Sequence, residues 1–296
     1  MKVLLTGSSG FLGSGIIKLF PDCQIVTLAR AHAVIVADLK VNQPDLPATD
    51  LVIHAAGKAH VVPKTEAEKQ EFFDVNVTGT QNLLKGIENA PQLPKYFVFI
   101  SSVAVYGLEK GHLISEDAPL LAKDPYGRSK IAAEKIIEEW CFKNNVVCTI
   151  LRLPLLAGPN PPGNLKSMIS GIKKGYYFNI AGGKAQKSIV LAQDIAEIIP
   201  TVAKVGGIYN LTDGYHPNFS ELSQLIAKQL GKSKPLNMPM WIAKLLAKIG
   251  DWLGSKAPVN SDKLNKIISD LTFDDSKAKG ILGWKPTRIL TGFKIV

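Results

Sequence analysis

The stretch TGSSGFLG (6–13) follows the apolar run KVLLT (2–6) and opens a helical pattern that continues to about residue 20. Glycines at this spacing, between a strand and a helix, restrict the fold more than any other feature of the chain. Gly7 permits a tight turn, Gly10 lets backbone approach a pyrophosphate, and Gly13 lets helix and strand pack closely, while the free N–H groups of the helix N-terminus face the anion. A purely structural turn would not need glycine at all three places. The spacing predicts a dinucleotide site at the end of the first strand.

The rest of the first half repeats the alternation that such a site requires. QIVTL (24–28), LVIHAA (51–56), YFVFIS (96–101) and VVCTILRL (146–153) read as strands buried on both faces, and helical patterns cover 11–20, 66–89 and 125–143. Apolar strands joined by helical crossovers predict an α/β fold, a doubly wound parallel sheet of Rossmann type. One connection does not fit: ARAHAVIVADL (29–39) leaves too few residues for a helix between the second and third strands, so the crossover is truncated or the third strand displaced. After LPLLAGPNPPGN (153–164) helices and loops mix with one further strand, GGIYNLTD (206–213). The expected division is a dinucleotide-binding domain over 1–155 and a smaller α/β substrate-binding portion over 156–296, some of whose segments return to the sheet.

Composition narrows the partners. Apolar residues make up 46% and charged residues 20% of the 296, which suits a soluble globular chain. The balance of 35 Lys+Arg against 25 Asp+Glu, a net +10, favours anionic partners. The basic residues are dispersed and no RNA-binding or zinc-finger signature occurs, so nucleic acid is not expected. Cys23, Cys141 and Cys148 are too scattered for a disulfide framework or a metal site, and a reducing cytoplasm is the simplest setting. The start MKVLL breaks at TGSSG, and no run approaches the ~20 apolar residues that span a bilayer. His54, His60 and His216 read as structural or solvated.

DPYGRSK (124–130) places a phenol and an ammonium one helical turn apart. Asp124 suits an N-cap and Pro125 the first helical position, so Tyr126 and Lys130 project from one face. The pair is idle if both are solvated. If enclosed, the cation lowers the phenol from its usual pKa of about 10 and lets it pass protons near neutrality. At the end of the second strand, where an acidic residue commonly holds ribose hydroxyls, stands Arg30. An arginine there suits a 2′-phosphate and favours NADP over NAD. Asp38, in VADL, is a candidate for the adenine edge.

TGSSGFLG, HAAGKAH (54–60), NVTGTQNLL (76–84), FISSVAVYG (99–107) and PYGRSK, in this order, resemble the extended short-chain dehydrogenase/reductases, the nucleotide-sugar epimerase/dehydratase family. RLPLLAGP, YNLTDG and FDDSKAKGILGWKP carry the likeness to the C-terminus. The resemblance implies that Tyr126 transfers the proton, that Lys130 binds the nicotinamide ribose and lowers the tyrosine pKa, and that Ser102 hydrogen-bonds the reacting sugar oxygen, with Ser101 as competitor. It further implies cofactor contacts from Gly7, Ser9, Gly10, Phe11, Leu12, Gly13, Arg30, Asp38, Leu39, Ala55, Ala56, Gly57, Asn76 and Pro154. Substrate contacts would come from Ser102, Val103, Asn164, Leu165 and Lys187, with Lys187 standing where the family more usually has an arginine on the diphosphate. A homodimer through the helices at 66–89 and 125–143 is the family habit.

Within the family, members that eliminate water carry an acid–base pair beside the serine, where this chain has Val103 and Ala104, and C3/C5 epimerases carry a cysteine near that point. Chemistry at C4 remains. The pattern looks like bacterial polysaccharide-cluster enzymes acting on UDP-linked N-acetylhexosamines. Reduction of a 4-keto sugar is the first expectation because of Arg30, and NAD-dependent 4-epimerisation the second. A cofactor-sensing regulator is the rival of another class; such proteins commonly lose the tyrosine or lysine, and both are present here. WIAKLLAKIGDWL (241–253) is amphipathic, with Trp241, Ile242, Leu245, Leu246, Ile249, Trp252 and Leu253 on one stripe opposed by Lys244, Lys248 and Asp251. A stripe of this kind is expected to pack on its own domain or a partner subunit more often than on a membrane.

Overall fold

The structure, a computed structural model, describes residues 1–20, 23–59, 61–253 and 260–295; His60 lies outside them. Its centre is a seven-stranded parallel sheet in the spatial order Gly207–Asn210, Val147–Leu153, Tyr96–Ser102, Leu51–His54, Lys2–Thr6, Gln24–Ala29, Ile35–Val36. Alternate residues of each strand feed different layers, as the two-residue repeat of a strand demands. Val3 and Leu5 pack with Leu12, Ile16, Ile195 and Ile199 on one face. Leu4 packs with Leu83, Leu84, Ile137 and Trp140 on the other. The helices Phe11–Leu19 and Ala192–Val205 therefore cover one side, and Gly79–Glu88 and Pro125–Lys143 the other. The doubly wound Rossmann-type sheet is the one the sequence predicts.

Strand Lys2–Thr6 has Gln24–Ala29 on one side and Leu51–His54 on the other, so the winding reverses at its carboxyl end. Ligands of open α/β sheets bind at such a switch point. The irregular crossover resolves as a truncation: residues 30–34 form no helix, and the third strand shrinks to Ile35–Val36, paired with Leu28 and Ala29. The amide of Val34 donates to the Thr27 hydroxyl at 3.0 Å, which replaces part of the missing ladder. The helical stretch at 66–89 is divided, Glu66–Phe73 and Gly79–Glu88 flanking a widened turn over Asp74–Thr78.

Beyond residue 156, helices Gly163–Lys174, Phe219–Gln229, Met240–Leu253 and Ser261–Ile268 lie outside the central sheet, while Gly207–Asn210 adds its edge strand. Among the described residues no helix is long and apolar enough to cross a membrane.

His54 ends the strand beside Thr6, fully enclosed. Its Nδ1 lies 2.7 Å from the Thr6 hydroxyl and its Nε2 3.0 Å from that of Thr80. The Thr80 hydroxyl donates to the Asn76 carbonyl at 2.7 Å, so it can only accept from His54, which puts the imidazole proton on Nε2. Burial, assisted by the charge of Lys130, pushes His54 down to about 3 from its usual 6.5. The folded value lies below the unfolded one, so the unfolded chain takes the proton first. Stability is full above pH 6.5 and falls as pH drops from 6.5 toward 3. Urea unfolding across that window should show a slope from this residue of at most about 1.4 kcal/mol per pH unit, absent in His54→Asn. Identical slopes in both proteins would contradict a neutral, buried His54.

Candidate active site

The glycine turn is shaped by contact. Gly7 has φ +71°, and a Cβ there would stand 2.6 Å from the Ala56 amide nitrogen. A Cβ on Gly13 would stand 2.2 Å from the Gly7 carbonyl oxygen, so strand, turn and helix close on one another only with glycine. No side chain caps the helix that begins at Phe11, which leaves its first N–H groups to an anion. A cavity of about 410 Å³ opens beside this turn, lined by Gly7, Ser9, Gly10, Arg30, Asp38, Leu39, Ala55, Ala56 and Gly57 among others. Nine of the residues expected at the cofactor thus share one space. Glycine-only contacts, an uncapped helix end and a cavity along the switch point fit a dinucleotide.

Other expected contacts support the cavity from behind. Leu12 is core, and Phe11 reaches Gly158, where a Cβ would stand 3.1 Å from the phenyl Cζ. Asn76 is buried, accepts from the Lys58 amide at 2.7 Å and donates to Ser129 at 2.9 Å, which holds the Gly57 segment to the helix of Tyr126. The sequence reading did not include Lys40 and Lys58, which line the cavity with Arg30. Lys58 pairs with Glu71, and Lys58, then Lys40 and Arg30, hold that carboxyl below its usual range. Arg30, Lys40 and Lys58 outnumber Asp38 and Glu71 along the cavity; Lys40, two residues past Asp38, was the legible signal.

Next to Gly57 of the cavity lining stands the helix Pro125–Lys143, started as predicted by Asp124, whose carboxylate accepts from the Gly127 amide at 3.0 Å, and by Pro125. Tyr126 and Lys130 are one turn apart. The Lys130 ammonium donates to the Ile100 carbonyl at 2.9 Å, sits over the Phe99 ring at 4.4 Å and borders Gly57, whose Cβ would lie 3.3 Å away. Burial lowers Lys130 to about 8, against the opposing pull of Glu134. Ser102 stands beside the Tyr126 phenol and acts to lower its pKa. Tyr126 departs from the sequence expectation: burial, with the Asp124 charge, raises its pKa, and Ser102 only opposes that rise.

Ser101 and Ser102 are separated by strand alternation. The Ser101 hydroxyl donates to Glu134 in the interior, whereas Ser102 opens the turn Val103–Tyr106 and faces Tyr126. Pro154 follows Leu153, the register partner of Ser102, so it borders the same carboxyl edge. Glu134 accepts from Arg152, Nη2 at 2.8 Å and Nε at 3.2 Å, in an ion pair almost free of solvent. This pair fastens the helix to the strand beneath it.

The expected diphosphate contacts are not brought to this space. Leu165 is buried in the core of the C-terminal portion, and Asn164 is exposed at the start of helix Gly163–Lys174. The Lys187 ammonium donates to the carbonyls of Lys266 (3.0 Å) and Ser269 (2.8 Å), tying the segment before strand Ile189–Leu191 to the helix Ser261–Ile268 and the residue after it. His216 is buried with Nδ1 3.0 Å from the Ser188 hydroxyl, a structural histidine like His54.

Comparison with known proteins gives the class that fold and site define. The profile of the NAD dependent epimerase/dehydratase family matches residues 3–212, and the chain belongs to that family. It is 31% identical to a UDP-glucose 4-epimerase of Vibrio cholerae, over 99% of this chain and 93% of the relative. It is 29% identical to the N-acetyl-alpha-D-glucosaminyl-diphospho-ditrans,octacis-undecaprenol 4-epimerase of Escherichia coli O157:H7, over 93% and 88%. Among solved structures the UDP-N-acetylglucosamine 4-epimerase from Bacillus cereus superposes with a TM-score of 0.73 at 22% identity, covering 98% of this chain and 96% of that one, which shows the shared fold. The protein is thus an NAD(P)-dependent enzyme of the extended short-chain dehydrogenase/reductases.

Arg30 lines the cavity beside Lys40 and Lys58. Arg30→Asp should shift the ratio of NADPH to NADH affinity toward NADH by about tenfold or more, measured by nicotinamide fluorescence titration. An unchanged ratio would make Arg30 a bystander.

Proposed function

We propose that the protein oxidises and re-reduces C4 of a sugar linked through a diphosphate to a nucleotide, most simply UDP, and so interconverts the two C4 epimers. The observation that carries this reading is the grouping of Ser102, Tyr126 and Lys130 at the carboxyl edge of the sheet, with Lys130 next to Gly57 of the cavity behind the glycine turn. The bound nicotinamide would accept and return hydride at C4. Tyr126 would take the proton from the C4 oxygen and give it back, with Ser102 hydrogen-bonded to both the phenol and that oxygen. Lys130, held protonated with the help of Glu134, would orient the ribose and favour tyrosinate once it turns from Ile100. Val103 and Ala104 supply no acid–base pair, so elimination has no proton donor or acceptor there.

The names of the relatives favour epimerisation over the reduction that Arg30 first suggested. Arg30, Lys40 and Lys58 around the cavity favour the second reading, an NADPH-dependent 4-keto reduction. One relative is named for a sugar on undecaprenyl diphosphate, so the diphosphate is the handle common to both carriers. A role in building surface polysaccharide precursors accords with either. The test is proton NMR of UDP-glucose and UDP-N-acetylglucosamine incubated with the enzyme. The wild type should produce the C4 epimer, Tyr126→Phe should lose about a thousandfold in kcat, and Ser102→Ala roughly a hundredfold. Retained turnover in Tyr126→Phe would refute the assignment.

A further inference from the structure

Helix Met240–Leu253 is mounted with Trp241, Leu245, Leu246, Ile249 and Trp252 outward, so they do not pack on the chain's own domain, one of the two packings expected for the stripe. Its buried side is made of small residues: Ala243, Ala247 and Gly250 face inward, the two alanines packing against Leu264, Ile268, Ile180 and Met238. On the far side Leu245, Leu246 and Ile249 are exposed between Trp241 at 69% and Trp252 at 88%. At 100° per residue, these five side chains fill one arc of the helix opposite the alanines. A soluble monomer rarely shows large apolar side chains gathered this way without an occupant.

The surroundings select the occupant by charge. Lys244 and Lys248 stand exposed along one rim of the stripe. The helix's one carboxylate, Asp251, is turned to Ser261, accepting from its amide and hydroxyl. The chain entering the helix, and the strand paired with it, carry further exposed apolar and basic residues. Leu236 and Phe178 are exposed at the start of the paired strands Asn237–Met238 and Asn179–Ile180, each preceded by exposed lysines, Lys232 and Lys234 in one case and Lys173 and Lys174 in the other. Tryptophans near both ends of an apolar helix face, with a cationic border, are what a helix lying in a headgroup layer presents. A second copy of the same face would bring like charges together.

We propose that this face docks the protein on an anionic lipid bilayer, with helix Met240–Leu253 lying in the interface. The inference is separate from the C4 reading, since turnover of a soluble sugar nucleotide tests that reading in the same variants. The helix packs on Ser261–Ile268, whose last carbonyls hold Lys187, so docking would bring that end of the C-terminal portion to the membrane plane.

The test is co-sedimentation of the full chain with vesicles of phosphatidylcholine alone and of phosphatidylcholine containing phosphatidylglycerol. Binding is expected to the anionic vesicles and to be reversed by salt. Trp241→Ser/Trp252→Ser should weaken it at least about tenfold, and Lys244→Glu/Lys248→Glu should also weaken it, while circular dichroism and soluble-substrate turnover stay unchanged. Three outcomes would overturn the proposal: no sedimentation with anionic vesicles, binding that neither variant alters, or a solution dimer that the tryptophan variant turns into monomer without any vesicle binding. The last would give the face to a second copy.

Discussion

The buried ion pair between Glu134 and Arg152 joins the helix that carries Tyr126 and Lys130 to the strand that follows it in the chain. Around it the Ser101 hydroxyl donates to Glu134, and Arg152 Nη1 donates to the Tyr106 hydroxyl and the Glu116 carbonyl. The Tyr106 hydroxyl in turn donates to Asn210 on the edge strand. Three strands and one helix are thus held by a single connected set of polar groups. Such a pair adds little net stability, because desolvation offsets its attraction, but losing one partner of it costs about 3–5 kcal/mol. Its effect is placement.

Placement decides the chemistry at the sheet's edge. With Glu134 fixed, Lys130 one turn earlier must lie under the Gly57 segment, and Tyr126 a further turn back must meet Ser102. The same fastening turns Ser101 inward, so neighbouring serines acquire unrelated tasks. From the other side, the contact of Gly13 with the Gly7 carbonyl fixes where the first helix begins and therefore where its free N–H groups point. The two devices meet at Asn76 and His54, which tie the strand between them to both.

Much of this was legible because it depends on local rules. The glycine turn, the Asp124–Pro125 helix start and the strand alternation are short-range consequences of backbone sterics and burial, and the structure follows them. What was not legible depends on distant partners. The choice between Ser101 and Ser102 needed the position of Glu134. The Tyr126 pKa needed the burial of the phenol and the positions of Ser102 and Asp124 around it, and Lys187 could be assigned to the backbone of residues 266–269 only in three dimensions. The stripe of Met240–Leu253 was visible as a pattern, but a pattern does not say which side faces in. Ala243 and Ala247 won the interior because they permit close helix packing, which the tryptophans would prevent.

The account rests on hydride leaving and returning at C4 within one enclosed site governed by Tyr126. Its most direct test is turnover of a sugar nucleotide deuterated at C4, with the product read by NMR and mass spectrometry. Deuterium retained at C4 of the epimerised product, and lost from no molecule to solvent, is the predicted result. Exchange of the label with water, or an epimerised product that carries protium at C4, would contradict it.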